Sequence, residues 1–484
     1  MAVACGSDFT VLLTAGRGLL FYGRGVYHQL GVPPDEPANT PFLLGACGEP
    51  VGDAVEALPG GVQAVAALAQ IEGAHIEEAP GAWQRVYGGD HMLFPEDVVM
   101  VAAGLNFSMC VAESGAVLAT GNNLFGNLGL GNVMRRRSFA TLGLDAFGGH
   151  PAMMVACGQY HTLVLTRTGL VWAFGCGHDG QNGNPDLKNF SVPTLVAGLD
   201  NIVMVAASLF TSVALAADGR VWTWGSARCG ALGHDDTGYG VMPIPRALNL
   251  PAFGGHAVLF VAAGYKYMMA VTVPGELWAW GSGESGQLGL GDVAGRRVPT
   301  RLTNTWDGSH VRMVSCCGTS HPYTMAATED GAVWTWGSGL HEQLGHNDEL
   351  DRATPTRIPQ AAFGGAHIVL VHTSHQNVST AVTRHGLVYQ WGRRPWFCST
   401  YTLVPLGSSL SREGRCGHSC AVPRSNMLAF ASGTHARLGE ECVFRGLVEE
   451  LLTCIHEQAQ APGGAYAHMR EGQLRLLAAT VRVT

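Results

Sequence analysis

Lysine is nearly missing from this chain of 484 residues: Lys188 and Lys266 are the only two, and every other basic side chain is arginine. Codon composition can produce such a bias, yet an arginine-rich surface still favours bidentate contacts to carboxylate or phosphate over diffuse lysine charge. Charged residues amount to only 14% and the net charge is −8, which argues against a surface that binds polyanions as a whole and leaves room for a local one. No apolar run approaches the roughly 18 residues of a membrane span, so no membrane association is expected. The 13 cysteines show no paired spacing. Several (Cys5, Cys157, Cys316, Cys317) stand beside a repeated glycine, where a small apolar residue is wanted. A reduced, intracellular thiol set is the expectation. No basic region precedes Val3-Ala-Cys-Gly6, so no signal peptide is expected. The reading is a soluble intracellular protein, with cytoplasm and nucleus both open.

Catalytic patterns are missing as well. The chain has no Gly-x-Ser-x-Gly elbow, no His-Glu-x-x-His, no phosphate loop and no Cys-x-x-Cys. Cys416-Gly-His-Ser-Cys420 offers three candidate metal ligands without a fourth. No enzyme activity, no cofactor and no metal are expected.

What is abundant is glycine, 66 residues, about twice its usual share of roughly 7%. It recurs in register. Seven phrases end in an aromatic or small residue and Gly, clearest in Val171-Trp-Ala-Phe-Gly175, Val221-Trp-Thr-Trp-Gly225, Leu277-Trp-Ala-Trp-Gly281 and Val333-Trp-Thr-Trp-Gly337. Their closing glycines are 98, 54, 50, 56, 56 and 55 residues apart, so one supersecondary unit is copied in tandem.

Each copy reads as four strands. A small one comes first (Val155-Ala-Cys-Gly158, Val261-Ala-Ala-Gly264), suited to crowding round a central axis. An apolar one follows (Thr162-Leu-Val-Leu-Thr166), then a tight turn such as Asp218-Gly219 or Asp330-Gly331. The third alternates Trp-x-Trp, which puts both rings on one face for packing between units. The fourth carries Pro (Val192-Pro-Thr-Leu195, Val298-Pro-Thr-Arg-Leu302), as an edge strand tolerates. Between the third and fourth lies a second phrase, Gly126-Asn-Leu-Gly129, Gly230-Ala-Leu-Gly233 or Gly286-Gln-Leu-Gly289. A third, Phe147-Gly-Gly-His150 or Phe253-Gly-Gly-His256, bridges successive units. Radial four-stranded units of this period make an all-β propeller.

Together, V-A-C-G, x-x-H-T, D-G-x-V-x-x-W-G, G-x-L-G and a following Pro resemble the repeat of the regulator of chromosome condensation (RCC1) family, over roughly residues 1–46 and 99–406. A kelch pattern, with Gly-Gly directly after a strand, is not found. The resemblance implies an RCC1-like β-propeller over residues 1–439. Seven blades are expected, and eight stay open because Cys416–Gly439 looks like an eroded further copy. His161 and His321 match the family's repeat histidine, which implies a structural hydrogen bond near the inner strands. Members of the family act by binding. A non-enzymatic protein-interaction scaffold, monomeric, is the first expectation. The alternative is a guanine-nucleotide exchange factor for a Ran-like small GTPase, possibly on a nucleosome. The missing basic N-terminal tail and wedge weaken that alternative, and the absence of Gly-Trp-Arg-His phrases weakens ultraviolet sensing. A ubiquitin ligase lacks room for its catalytic domain after Gly439.

The places where the repeat fails complete the reading. Residues 47–98 form an insertion with nine acidic side chains, among them Glu72, Glu77 and Glu78, against Arg85 alone. It is either a solvated loop or an acidic arm that engages a basic partner or screens a basic face of the propeller. The candidate basic face is Arg135, Arg136 and Arg137, with Arg296 and Arg297 at the equivalent place three repeats on. The tail, 440–484, carries Val443, Phe444, Leu447, Val448, Leu451, Leu452 and Ile455 at helical spacing, which predicts a short helix packed on the propeller.

Overall fold

Apart from His161, the second strand of each repeat is apolar or small at every position, and in five repeats it is buried from end to end, so it must lie inside a sheet that is covered on both faces. The computed structural model describes residues 2–5, 9–13, 19–23, 38–44, 98–235, 240–303, 306–317, 321–374, 377–384, 388–392 and 404–405. At the N-terminal end, β1 (Ala2–Cys5), β2 (Phe9–Leu13), β3 (Leu19–Gly23) and β4 (Ala38–Leu44) pair in that order. The next sheet is β5 (Val98–Ala103), β6 (Phe107–Ala112), β7 (Val117–Gly121) and β8 (Arg136–Leu142). It is followed by β9 (Ala152–Cys157), β10 (His161–Thr166), β11 (Val171–Gly175) and β12 (Phe190–Leu195). Then come β13 (Ile202–Ala207), β14 (Thr211–Ala216), β15 (Val221–Ser226) and β16 (Val241–Leu248). The series continues with β17 (Val258–Gly264), β18 (Tyr267–Thr272), β19 (Leu277–Gly281) and β20 (Arg296–Arg301). After it stand β21 (Val311–Cys316), β22 (Tyr323–Thr328), β23 (Val333–Gly337) and β24 (Arg352–Arg357). The last sheet is β25 (Ile368–Thr373), β26 (Val378–Thr383), β27 (Val388–Gly392) and β28 (Val404–Pro405). All pairings are antiparallel and between neighbours in sequence.

First strands meet first strands round the axis: β5 lies against β9, β13 against β17 and β21 against β25. The hydrophobic core lies between blades. Phe147, Val155 and Phe174 pack with Met109 and Val117 of the blade before them, and Trp334 and Trp336 pack with Met269 and Leu277.

The expected fold needs correction in its count and in its helix. Six blades in unbroken succession, β5–β8 to β25–β28, replace the expected run of seven or eight. The strands β1–β4 form a further sheet beside β5, set off in sequence by residues 45–97, which interrupt the repeat and lie outside the described residues. No eighth blade and no α-helix occur among the described residues. Helical geometry is confined to single 3-10 turns such as Leu144–Phe147, which end on a left-handed Gly and are too short to propagate. The stretch Cys416–Gly439, with its candidate metal ligands, and the tail from Glu440 lie outside the described residues.

The two glycine phrases form one interlock. Trp224, Trp280, Trp336 and Trp391 each donate the indole N–H to the carbonyl of the residue after the first Gly position of the preceding blade's second phrase: Gln181 (3.0 Å), Ala231 (2.9 Å), Gln287 (2.8 Å) and Gln343 (3.0 Å). Hydroxyls from the next second strand reach the same carbonyls, Ser212 to Gln181 and Thr324 to Gln287. The bridging aromatic completes the joint: Phe253 meets both Trp278 and Trp280 edge-on, with ring centroids 5.9 Å apart in each case. Both rings of Trp-x-Trp therefore lie on one face, as the alternation requires.

Candidate protein-interaction face

Register fixes which loops share an end. In the third repeat His161 pairs with Gly175 and Gly175 with Phe190, so the turn between first and second strands and the loop between third and fourth emerge together. The opposite end carries the tight hairpins and the bridges between blades. The two ends differ in chemistry.

At the loop end the turns are tied down by backbone. The residue after each closing Gly donates its N–H to the turn: Asn122 to Asn106 O, Cys176 to Tyr160 O, Ser226 to Phe210 O, Ser282 to Lys266 O and Ser338 to Pro322 O, all at 2.8–2.9 Å. The closing glycine makes this possible. Gly175 has φ +97°, and a Cβ there would lie 2.4 Å from Tyr160 O. A side chain would force the two loops apart.

On this pinned base stand aromatic and aliphatic side chains. Phe125 meets Tyr160 of the next blade at 4.8 Å between centroids and His178 at 6.3 Å. Phe210 and Tyr265 occupy the equivalent turns and are half-buried, and the Lys266 ammonium lies 4.5 Å from the Tyr265 ring. His321 and His341 stack edge-on at 4.6 Å. Leu124 is 64% exposed and Leu340 49%. Val133, Met134, Val293 and Leu350, in the loops leading to the fourth strands, are exposed too. The other exposed large apolar side chains of the described residues, Val192, Leu195, Val241, Ile244 and Val298, are on outer strands. Of these only Leu195, which pairs with Trp172 beside the β10–β11 hairpin, lies toward the hairpin end. There the charges neutralise one another: Arg220 pairs with Asp218, Arg301 with Glu276, and Arg357 with Asp307 and Asp330.

The arginines singled out by sequence fall at equivalent register: Arg136 pairs with Gly121 and Arg296 with Gly281. They share the loop end, but the blades β9–β12 and β13–β16 stand between them. Arg296 and Arg352 are each clamped by an aspartate four residues earlier, Asp292 at 2.7 Å and Asp348 at 2.8 Å. That clamp lowers the Asp348 carboxyl to about 2. Arg297 is exposed, while its backbone packs under Gly230 of the preceding blade. Arg135, Arg136 and Arg137 are exposed and pair with no carboxylate among the described residues. Glu72, Glu77 and Glu78 lie outside the described residues.

His161 is a structural residue. Its ring is buried in the joint to the next blade, with Nε2 2.9 Å from Ser212 Oγ. Ser212 gives its own proton to Gln181 O, so Nε2 of His161 is the donor. Burial pushes its pKa down to about 3, so the ring is neutral. His321 does not occupy the matching place. Tyr323 pairs with Gly337 there, because three extra residues lengthen that turn: Cys316 pairs with Thr324 where Cys157 pairs with Thr162. Its hydroxyl donates to Val378 O at 2.9 Å. Among the described residues no three His, Cys, Asp or Glu side chains gather as a metal site. Cys110, Cys157, Cys176, Cys229, Cys316 and Cys317 carry free thiols. Sequence reasoning missed Phe125, Tyr160, Phe210 and Tyr265; for Phe125, Tyr160 and Tyr265 the signal is an aromatic within two residues of a glycine of the repeat, where packing does not call for one, whereas Phe210 follows Ser208 and has no such glycine.

A family model for the RCC1-like domain matches residues 73–377. The ultraviolet-B receptor UVR8 of Arabidopsis thaliana is 31% identical over 366 residues, covering 71% of this chain and 79% of the receptor. The crystal structure of human WBSCR16 superimposes with a TM-score of 0.59 at 24% identity, covering 77% of this chain and 84% of that one. The structure of Prp20p from Saccharomyces cerevisiae, studied with its binding to Gsp1p and histones, superimposes with a TM-score of 0.57 at 22% identity and covers 77% and 79%. Both structures share the fold.

Proposed function

The chain belongs to the RCC1-like domain family, and on that footing we propose that it is a non-enzymatic interaction scaffold whose loop end takes hold of a protein partner. One observation carries this reading: among the described residues six exposed large apolar side chains lie in loops of the loop end, and only Leu195 lies toward the hairpin end. A concentration of exposed apolar side chains at one end marks a protein contact more often than a catalytic cleft. The backbone bonds that hold the turns make the surface rigid, so little ordering entropy is lost when a partner binds. Aromatic anchors such as Phe125 and Tyr160 supply the large, stiff contact area that dominates interface energies.

The test is a comparative pull-down. Full-length protein and a Leu124→Ser/Phe125→Ser/Tyr160→Ser variant are used as bait in native extract, with Asp218→Ser/Arg220→Ser as a hairpin-end control. Proteins held by wild type and control but lost from the loop-end variant are the expected result. Equal retention by all three would remove the reading.

Exchange of guanine nucleotide on a Ran-like GTPase is the second reading, supported by the fold shared with Prp20p, which binds Gsp1p. Release of labelled GDP from such a GTPase measures it directly. No acceleration at stoichiometric protein would dismiss it and leave the scaffold untouched.

A further inference from the structure

Equivalent loops of the blades hold the same turn by different means. Asp292 and Asp348 each accept an N–H from the residue two ahead and clamp the arginine four ahead, Arg296 and Arg352. Asn132 keeps the turn, accepting from Met134 N–H at 3.0 Å, but it has no charge with which to hold Arg136. Residues 122–137 contain no acidic side chain at all. Arg135, Arg136 and Arg137 are thus left side by side and exposed, and they pair with no carboxylate among the described residues.

The loop that carries them is braced by amides. Asn123, fully buried, donates to the carbonyls of Asn132 (2.9 Å) and Met134 (3.2 Å) and accepts from Leu128 N–H at 2.9 Å. Asn127 donates to Asn122 O at 2.7 Å, and Asn132 to Leu130 O at 3.1 Å. These bonds tie the turn that carries Leu124 to the stretch that carries Val133 and Met134, and all three side chains are exposed. A fixed apolar ledge therefore adjoins the arginines, and little of it has to be ordered when a ligand arrives.

We propose that this ledge and Arg135, Arg136 and Arg137 form a docking site for a short acidic segment of the partner protein, which sets an aliphatic side chain against Leu124, Val133 and Met134 and its carboxylates on the guanidiniums. The inference rests on the loop-end reading and adds the chemistry of the partner. Guanidinium forks suit carboxylates, which they take in pairs of charge-assisted bonds. Along an extended chain 135 and 137 fall on one side and 136 on the other, so the segment caps the loop end of β8, and no bond to the edge of that strand is required. The opposite side of this end argues against an extended polyanion. In residues 338–352, Glu342, Asp348, Glu349 and Asp351 stand against Arg352 alone. A nucleic acid or an anionic bilayer spreads its charge widely and would meet that acidic loop as well, whereas a few residues of peptide do not reach it.

The probe is a fluorescent Gly-Glu-Glu-Asp-Leu-Phe-Gly peptide, titrated into the full chain by anisotropy at low salt. Its controls are the peptide with amides in place of its acids, the peptide with serine for Leu and Phe, an oligothymidylate of matched charge and phosphatidylserine vesicles. Saturable binding of the acidic peptide is expected, and weaker binding of every control. Arg135→Ser/Arg136→Ser/Arg137→Ser should weaken it at least about tenfold. The triple change to lysine, which keeps the charge and loses the fork, and Asn132→Asp, which gives Arg136 an internal partner, should each weaken it several-fold. Asp218→Ser/Arg220→Ser, at the hairpin end, should leave it unchanged. Wild-type affinity in either arginine variant, or tighter binding of the oligothymidylate or the vesicles, would overturn the proposal. Binding that appears only after the acidic residues of 47–98 are changed to amides would give the arginines to the chain's own insertion and overturn it too. No binding of the peptide, beside a pull-down that still depends on Leu124, Phe125 and Tyr160, would remove this inference alone. A pull-down indifferent to those three residues would remove the loop-end reading itself.

Discussion

The indole N–H of Trp336 in one blade donates to the backbone carbonyl of Gln287 in the blade before it, 2.8 Å away. The same carbonyl accepts the hydroxyl of Thr324 at 2.9 Å, so both lone pairs are used. The joint explains why the Trp-Gly phrase and the Gly-x-Leu-Gly phrase travel together: each is one half of a contact completed by the neighbouring repeat.

Replacing Trp336 with Phe removes that donor and leaves a gap at a fully buried site. A loss of about 2–4 kcal/mol is expected, from the missing bond and the cavity together. Urea unfolding at neutral pH would measure it. A loss below about 0.5 kcal/mol would mean that the joint contributes little.

Gly289 sits under the Trp336 ring with φ +73°, and a Cβ there would lie 2.8 Å from the indole nitrogen. Gly308 has φ +82° with open space around it. Gly308→Ala should therefore cost only the left-handed backbone penalty, about 1–2 kcal/mol. Gly289→Ala should cost clearly more, because it also displaces the ring. The comparison of the two unfolding midpoints separates clash from backbone strain.

His161 gives stability a pH dependence whose sign is fixed by burial. Its pKa falls from 6.5 to about 3 in the folded protein, so between those values the unfolded chain holds more protons. The contribution is complete above about pH 6.5 and is lost progressively as pH falls toward 3. His161→Gln, which can still donate to Ser212, should flatten the stability profile between pH 6.5 and 4. Unfolding midpoints across that range check it, and an unchanged slope would count against the assignment.

Asn132→Asp should install on Arg136 the clamp that Asp348 provides for Arg352. The expected gain in stability is small, about 0–1 kcal/mol and weaker at high salt, as for other exposed pairs. Urea unfolding at low and at high salt measures it, and a loss of stability at low salt would count against the clamp.

Much of this was legible in sequence because the repeat is in register. Phrases such as Val221-Trp-Thr-Trp-Gly225 place strands, turn and packing face at once. Three features were not. His321 looks like the repeat histidine by its distance from Gly318, but a longer turn hands the position to Tyr323. Arg296 reads as a free charge until Asp292, four residues earlier, is seen to hold it. The count of blades followed the closing glycines, whereas the described residues hold six blades in succession and the N-terminal sheet β1–β4 beyond a long interruption. The loop-end aromatics belong to no repeat phrase, and only the folded arrangement gathers them.

The measurement closest to the central claim is site-specific photocrosslinking in native extract. A photoreactive phenylalanine analogue is placed at Leu124 or Leu340 on the loop end, and at Asp218 or Glu276 on the hairpin end. Discrete protein adducts from Leu124 and Leu340, with none from Asp218 and Glu276, are the expected result. Adducts confined to the hairpin positions would contradict the account.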